Sequence, residues 1–549
     1  MSARHVFTSF LAISSLAFLA GCGSSNNTPI GQPPPSGSFS NSNLNGTYVF
    51  SVLGIDQNGN AYTLLGQFTA NGNRGITGGV VDINDTGFAI NNPVIAPLAN
   101  SPISTAGSSY SVGADGRGTV TLVIPANPLG STILLDFVLQ NSFHGLVTEY
   151  DPLASGSGTL DQQTSGTTPN GSYAFSFSGG ASESFATVGN FTVSGNSVSG
   201  LEDFNSNGVP YTAETLSGNL TLGPSSTPST VLSTSTFSLT YDVFAIDASH
   251  LKFIEMDPNG IAVGDAFSQS STSMPTGTLA FTLGGFVPGG LAFAAGGFMV
   301  TDGSGNITNA STEDFNEANT SASSVPVPFS GSYAAGGSGR FVLDNFNGFI
   351  GGTEYAAYPS NGGLLLLEID GTLGIEVGAA YSQTSSSAVA TSQGYGLNLS
   401  GINLGAATGS EQEVDDIGEF AIGGGASCGG QSGVTMVGLI DENFSPAGSP
   451  IGPQALCATY TAPDANGRSV LTSTGANGTL NGGFILTFYP IDGTTFPFIE
   501  SDGGQVSTGV FVEQNAAATT PATKHSDRFV VLPLVRPHPA SLKSRKTTR

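Results

Sequence analysis

Tryptophan is absent and charge is scarce: Asp, Glu, Lys and Arg make up 9% of the 549 residues, against roughly 25% in an ordinary soluble protein. A sugar-binding platform would have to be built from Tyr and Phe alone. Basic residues number 13, and seven of them (Lys524, Arg528, Arg536, Lys543, Arg545, Lys546 and Arg549) lie beyond Thr523. Between Cys22 and Thr523 only Arg74, Arg117, Lys252, Arg340 and Arg468 stand against 38 carboxylates, a net charge of −33. Nucleic acid and anionic membrane surfaces are poor partners for such a body, and cations are better ones. No run beyond residue 22 approaches the roughly 18 apolar residues of a spanning helix. Gly-x-Ser-x-Gly, a phosphate loop and His-Glu-x-x-His are all missing, so no catalytic constellation is legible and the chain reads as a non-enzyme.

What is present in excess is glycine, 78 residues, about twice the usual share. Ser, Thr and Asn must supply the polar surface, as suits an exported protein of strands and turns. The first residues are a processing signal: Arg4 and His5, an apolar stretch over 6–18, then Leu19-Ala20-Gly21-Cys22. That tetrapeptide resembles the lipobox of bacterial lipoproteins. The resemblance implies cleavage after residue 21 and lipid attachment to Cys22. Gly23 stands where that family places an aspartate for inner-membrane retention, which implies an outer-membrane or cell-surface destination. Residues 22–42, rich in Ser, Asn, Pro and Gly, read as a disordered tether.

Three cysteines fit an oxidising compartment. With Cys22 taken by lipid, Cys428 and Cys457 remain as a disulfide pair, worth about 3–4 kcal/mol in the chain-entropy model. A metal pair there would lack nearby histidines. Cys428 falls in a Gly-rich insert before a third strand and Cys457 early in a fourth, which would put them at opposite ends of a hairpin.

The chain repeats itself four times. Each unit opens with glycine, a small residue and an apolar strand: Gly46-Thr47-Tyr48, Gly171-Ser172-Tyr173, Gly277-Thr278-Leu279 and, more loosely, Gly394-Tyr395-Gly396. A Gly-x-Phe strand follows, ending in Phe68, Phe191, Phe298 and Phe420. Then comes Asp-x-Asn, at Asp82/Asn84, Asp203/Asn205, Asp314/Asn316 and Asp441/Asn443, with aspartates 121, 111 and 127 residues apart. Each unit closes on a Glu-x-Asp turn (Glu149, Glu255, Glu368, Glu500) and a glutamine (Gln163, Gln269, Gln383, Gln514). That period means tandem domains rather than a solenoid: a signal peptide over 1–21, units at 43–163, 169–271, 275–383 and 393–515, and a basic, mostly disordered tail at 516–549.

Unit 1 reads as strands near 46–55, 61–70, 76–84, 107–114, 118–124, 132–140, 144–151 and 157–163. Alternating apolar and polar residues and Asn/Asp/Gly turns give an all-β protein. Eight strands joined by near-neighbour turns predict an antiparallel up-and-down β-barrel per unit, because closure removes exposed edges; a β-sandwich is the alternative. In strand count and meander the unit resembles lipocalin and avidin barrels, a likeness of architecture that implies no function.

Asp203, Asn205, Asn207 and Glu214 have the spacing of a calcium loop, with oxygens at positions one, three and five, Gly208 at six and a closing Glu at twelve. Pro210 and strand-like flanks count against it, and an Asn/Asp turn is the competing reading. Calcium is the single cofactor the sequence offers. The recurring Glu-x-Asp is either half of a paired-carboxylate site or, more economically, turn and edge capping. Arg117, Arg340 and Arg468 follow equivalent turns, each expected to meet a carboxylate of its own barrel. His144 and His250 stand alone, forming neither a zinc site nor a triad. The sequence thus reads as a lipid-anchored envelope protein with a structural, adhesive or surface-interaction role, touching the membrane through Cys22 and a cell-surface polymer or small apolar ligand elsewhere. Ligand capture within a barrel is the alternative, and a glycan-active enzyme a more distant one.

Overall fold

A computed structural model describes residues 38–520, apart from 92–93, 165–167, 181–183, 225–226, 259, 319–320, 323–324, 392, 406–410, 423–434, 447 and 474–482. The leader, Cys22, Cys428 and the tail beyond residue 520 lie outside the described residues. The chain is all-β. Its strands form four sheets, running from Asn45–Asp56 to Ala154–Gln162, from Gly171–Gly180 to Ile261–Ser268, from Gly277–Val287 to Ile375–Ser382, and from Gly394–Asn403 to Gln505–Glu513. Three are closed antiparallel barrels in meander order, and the first is nearly closed.

Barrel 1 departs from the eight-strand reading. A short helix, Thr86–Ile90, and an added strand, Leu98–Pro102, precede the expected fourth strand, Ser104–Val112. Asp85 caps the helix by accepting from the Gly87 amide, as a short polar side chain does at an N-cap. An isolated bridge between Gly75 and Ser109 spans the remaining gap, which leaves the barrel nearly closed. The predicted tether also ends earlier than expected. Phe39 is buried against barrel 1, and its amide donates to the carbonyl of Ala114, so an apolar side chain draws the last residues of the tether into the fold.

Each barrel is filled by its own rings. Tyr48 stacks on Phe68, Tyr173 on Phe191 (5.5 Å) and Tyr395 on Phe420 (5.4 Å), across directly paired strands. In barrel 3 the register differs by one residue from the sequence reading. Leu279 pairs with Met299, so Met299 points inward, and Phe298 faces outward onto Tyr489 of barrel 4. A one-residue step exchanges faces because side chains alternate along a strand.

Alternation suggested sheets with one buried face. Instead the seventh strand of every barrel (His144–Glu149, His250–Glu255, Gly363–Glu368 and Thr495–Glu500) is buried along its whole length. The second face is covered by another barrel. The first three strands of each barrel pack on the last three of the next: barrel 1 on 2, 2 on 3, 3 on 4, and 4 back on 1. One apolar cluster draws Val138 and Leu146, Ala174 and Val188, Tyr358 and Leu367, Ile417 and Val510 from all four barrels. The four units are therefore a closed ring of head-to-tail contacts.

Candidate functional site

The recurring residues meet at the seams of this ring. Asn84 of barrel 1 donates from Nδ2 to the carbonyls of Glu255, Asp257 and Gly260 in barrel 2 (2.8, 3.1 and 2.9 Å). Asn205 of barrel 2 donates to Glu368 and Gly374 of barrel 3. Asn316 of barrel 3 donates to Glu500, Asp502 and Gln505 of barrel 4. Asn443 of barrel 4 donates to Glu149, Asp151 and Ala154 of barrel 1. The closing glutamines run the same circuit at the other end. Gln163 donates to the carbonyl of Ala245, Gln269 to Pro359, Gln383 to Pro490 and Gln514 to Leu139.

Each Asp-x-Asn aspartate is also a seam residue. Arg340 of barrel 3 forks onto Asp203 of barrel 2 (2.7 and 2.7 Å), and Tyr358 donates to the same carboxylate. Arg468 forks onto Asp314 with Tyr489 beside it. Arg117 of barrel 1 pairs with Asp441 of barrel 4. The arginines therefore meet a neighbour's carboxylate, correcting the expectation of pairing within one barrel. A planar fork suits a buried carboxylate better than a point charge does.

The seam between barrels 1 and 2 breaks this pattern. The loop 220–229 contains no basic residue, and Asp82 faces Asp242 instead. Burial, with the neighbouring Asp242 carboxyl, pushes Asp82 up to about 9. The cation of this seam is Lys252, fully buried between Asp265 (2.9 Å) and Asp161 (3.3 Å), with His250 and His144 on the same two carboxylates. Burial opposes charge here, but Lys252 and His144 hold Asp161 well below the usual carboxylate range. The two lone histidines of the sequence are thus brought to one buried cluster.

Asp203, Asn205, Asn207 and Glu214 are not gathered around a common point. Asp203 is held by Arg340 and Asn205 spans to barrel 3. Asn207 (φ 52°) and Gly208 (φ 77°) form the two-residue turn between Ser197–Ser206 and Val209–Asn219, the pair of positive φ values a tight hairpin requires. A side chain at Gly208 would strike the Leu373 backbone of barrel 3. Glu214 accepts from the backbone and hydroxyl of Ser235. Among the described residues no group of three or more His, Cys, Asp or Glu is placed to hold a metal ion. Cys457 is disulfide-bonded. It lies late in its strand, Ile451–Tyr460, opposite Val437, and not early in it as the sequence reading had it; Cys428 lies outside the described residues.

The Glu-x-Asp turns are closed hairpin ends. Asp151 accepts from the Leu134 amide, Asp257 from Thr240, Asp370 from Thr353 and Asp502 from Ile485, each capping the adjacent sixth strand. Their glutamates are buried beneath the neighbour's asparagine, and burial raises Glu149 and Glu500 well above the usual range. A glycosidase pair needs two carboxyls on an open cleft; of these eight carboxyls, Glu500 and Asp502 line a cavity at one end of barrel 4, where Asp502 accepts from the Ile485 amide and Glu500 from the Ser507 hydroxyl. The lumen of barrel 3 encloses about 20 Å³ between Phe281, Phe329 and Leu366, room for about one water. The cavity at the end of barrel 4 is larger, about 380 Å³, and is lined by Glu500, Asp502, Asn403 and Gln505 together with Ser473 and Gly483, the last two flanking the undescribed segment 474–482.

The seams also fix orientation. Third-strand corners meet seventh–eighth turns, and closing glutamines meet sixth-strand ends, so all four barrels point the same way. One face of the ring, the corner face, carries the first–second, third–fourth, fifth–sixth and seventh–eighth turns. The opposite, terminal face carries every crossing between barrels and both ends of the described chain. Among the described residues the large exposed apolar side chains are Val94, Val209, Tyr211, Val325, Ile350, Leu373 and Ile451. All seven sit on the corner face. Val94 and Val325 lie between the third strand and the fourth, and Val209 and Ile451 open the fourth, so all four stand near the same corner of their barrels.

No family model matches the chain, and no curated protein matches it either. Solved structures it is similar to include a Trp-to-Ala mutant of the vaccine antigen transferrin binding protein B from Haemophilus parasuis (11% identity, 68% of this chain and 84% of that one, TM-score 0.16). A second is the isotype 1 transferrin binding protein B from serogroup B Neisseria meningitidis (11% identity, 65% and 78%, TM-score 0.18). Overlap this slight carries nothing over to the present chain.

Proposed function

We propose that this is a non-enzymatic, lipid-anchored protein of the cell envelope, at the outer membrane or cell surface, whose rigid ring presents its corner face to a partner. The observation that supports it is the division of the two faces. Both ends of the described chain leave from the terminal face, so a lipid on Cys22 would hold that face toward the membrane. The apolar side chains stand on the other, where scattered exposed hydrophobes become an ordered set repeated around the ring. Capture of a small apolar ligand in a barrel has less support, because the barrel cores are packed with aromatic rings.

The test is adhesion or partner binding by cells displaying the chain with Val94, Val209, Val325 and Ile451 all replaced by Ser. Such cells should keep the anchored, folded ring and lose binding. Binding at the wild-type level by a correctly displayed variant would reject the corner face as the working surface.

A further inference from the structure

Glu413 of barrel 4 is 1% exposed, and neither of its carboxyl oxygens meets a hydrogen-bond donor of the protein. It breaks the repeat. At the same place in the second strand the other barrels carry small residues: Ala61 opposite Ile55, Ser184 opposite Gly180 and Ala292 opposite Phe286, where Glu413 stands opposite Ile402. Burying a carboxyl without a partner is costly, and a small residue avoids the cost. A break in an otherwise consistent pattern is the mark of a site kept for function. Burial, and then the neighbouring Asp415, raise Glu413 well above the usual carboxylate range, so with no cation beside it the group keeps its proton near neutral pH.

Glu413 lines a slot of about 30 Å³ in the seam of barrels 3 and 4. Phe286 and Ala292 of barrel 3 and Ile402 and Val506 of barrel 4 form apolar walls, and Ser400 and Thr508 add hydroxyls. Val506, Ile402 and Glu413 stand abreast on three adjacent strands, which fixes the carboxyl against those walls. Space remains because Gly284 has no side chain; a Cβ there would come 3.5 Å from Thr508. Gly284, Gly401, Ile402 and Thr508 are half-buried and form the rim, and Gly284 and Ile402 lead into the first–second turns of barrels 3 and 4, on the corner face. The volume admits about two water-sized groups. Calcium takes about six to eight oxygens, which one carboxyl and two hydroxyls do not supply. An ammonium asks only for acceptors, and its methylene stem suits apolar walls. We propose that this slot binds a primary alkylammonium group, its nitrogen on Glu413 and its stem leaving between Gly284 and Thr508. This rests on the reading of the corner face as the working surface, and it adds the chemistry of what that surface takes: a partner's lysine side chain or a free amine.

The full chain is titrated with butylammonium chloride and with Nα-acetyl-lysine methylamide, followed by NMR of the probe. Saturable binding is expected, weaker by at least about tenfold in Glu413→Gln and in Gly284→Ala, which fills the mouth of the slot. Glu413→Ala, the residue barrels 1 and 3 place there, should also lose binding while folding at least as stably as the wild type. Affinity should rise from pH 6 to pH 8, because binding releases the Glu413 proton. Binding of the lysine amide points to a partner's side chain, and binding of butylammonium alone to a free amine; either supports the site. Butanol binding as tightly as butylammonium overturns the proposal, as does binding indifferent to all three substitutions, or no saturable binding. Displacement of the ammonium by an equal concentration of calcium identifies a metal site and overturns it as well. None of these results depends on the adhesion test of the four Ser replacements, so the two readings fail separately.

Discussion

Asn443 of the last barrel donates its side-chain amide to the backbone carbonyl of Glu149 in the first, at 2.8 Å. The same bond, at the same strand positions, joins each of the other three successive pairs. Asn443 thus treats barrel 1 as the next barrel in line, and a tandem array becomes a ring. Gln514 does likewise at the terminal face, reaching Leu139 as Gln163 reaches Ala245.

Replacing Asn84, Asn316 or Asn443 by Ala should lower stability by about 1–3 kcal/mol each, since it strands buried carbonyls without a donor. The three losses should be similar because the sites are equivalent. Urea denaturation of the single variants measures this. A loss confined to Asn84 and Asn316 would mean that barrels 4 and 1 are not in contact.

Arg340→Met leaves Asp203 buried with only the Tyr358 hydroxyl and the Ala213 amide to serve it. Breaking a buried pair from one side costs about 3–5 kcal/mol. Adding Asp203→Asn to the same chain should recover a large part of that loss, which chemical denaturation of the two variants would show. A double variant no more stable than Arg340→Met would contradict the pairing.

Stability should fall as pH rises from about 4 to about 9. Burial pushes Asp82, Glu313 and Glu419 up to about 9 and Asp136 up to about 8. Across that window the folded ring keeps protons that the unfolded chain has released. The contribution of these groups is complete below their ordinary values and is lost as pH climbs to their raised ones, by about 1.4 kcal/mol per pH unit for each group still protonated. Asp161 and Asp265, held low despite burial by Lys252, act in the opposite sense and only in acid. Melting temperatures at pH 5 and pH 8 give the slope, and Asp82→Asn should reduce it by one proton's share.

Anchoring is tested by Cys22→Ser. The lipobox resemblance predicts that this variant leaves the membrane fraction, while a variant that stays there with its leader cleaved would reject lipid attachment.

The barrel was legible in the sequence because its determinants are local: Tyr and Phe at alternate positions, and Asn, Asp and Gly at the turns. The repeated residues were legible as repeats and only partly as contacts. Asp-x-Asn looked like turn chemistry because nothing in a linear pattern says that Asn205 bonds to Glu368, 163 positions away. The signal was nonetheless present. Four asparagines, four glutamines and three arginines recur at fixed places in a body with almost no other cations, more than a hairpin alone requires. Gly296-Gly297-Phe298 offers two glycines to the Gly-x-Phe pattern, and only pairing with Phe281 shows that Gly297 is the aligned one. The seventh strands carry an apolar run on both faces, which was the remaining sign of a second packing surface.

The closed ring is tested most directly by a double-mutant cycle on Arg117 and Asp441, 324 residues apart in sequence and paired across the seam of barrels 1 and 4. Stabilities of the wild type, Arg117→Met, Asp441→Asn and the double variant should give a coupling energy of about 1–3 kcal/mol. Additive effects, with coupling within about 0.3 kcal/mol of zero, would mean that the chain is an open string of barrels.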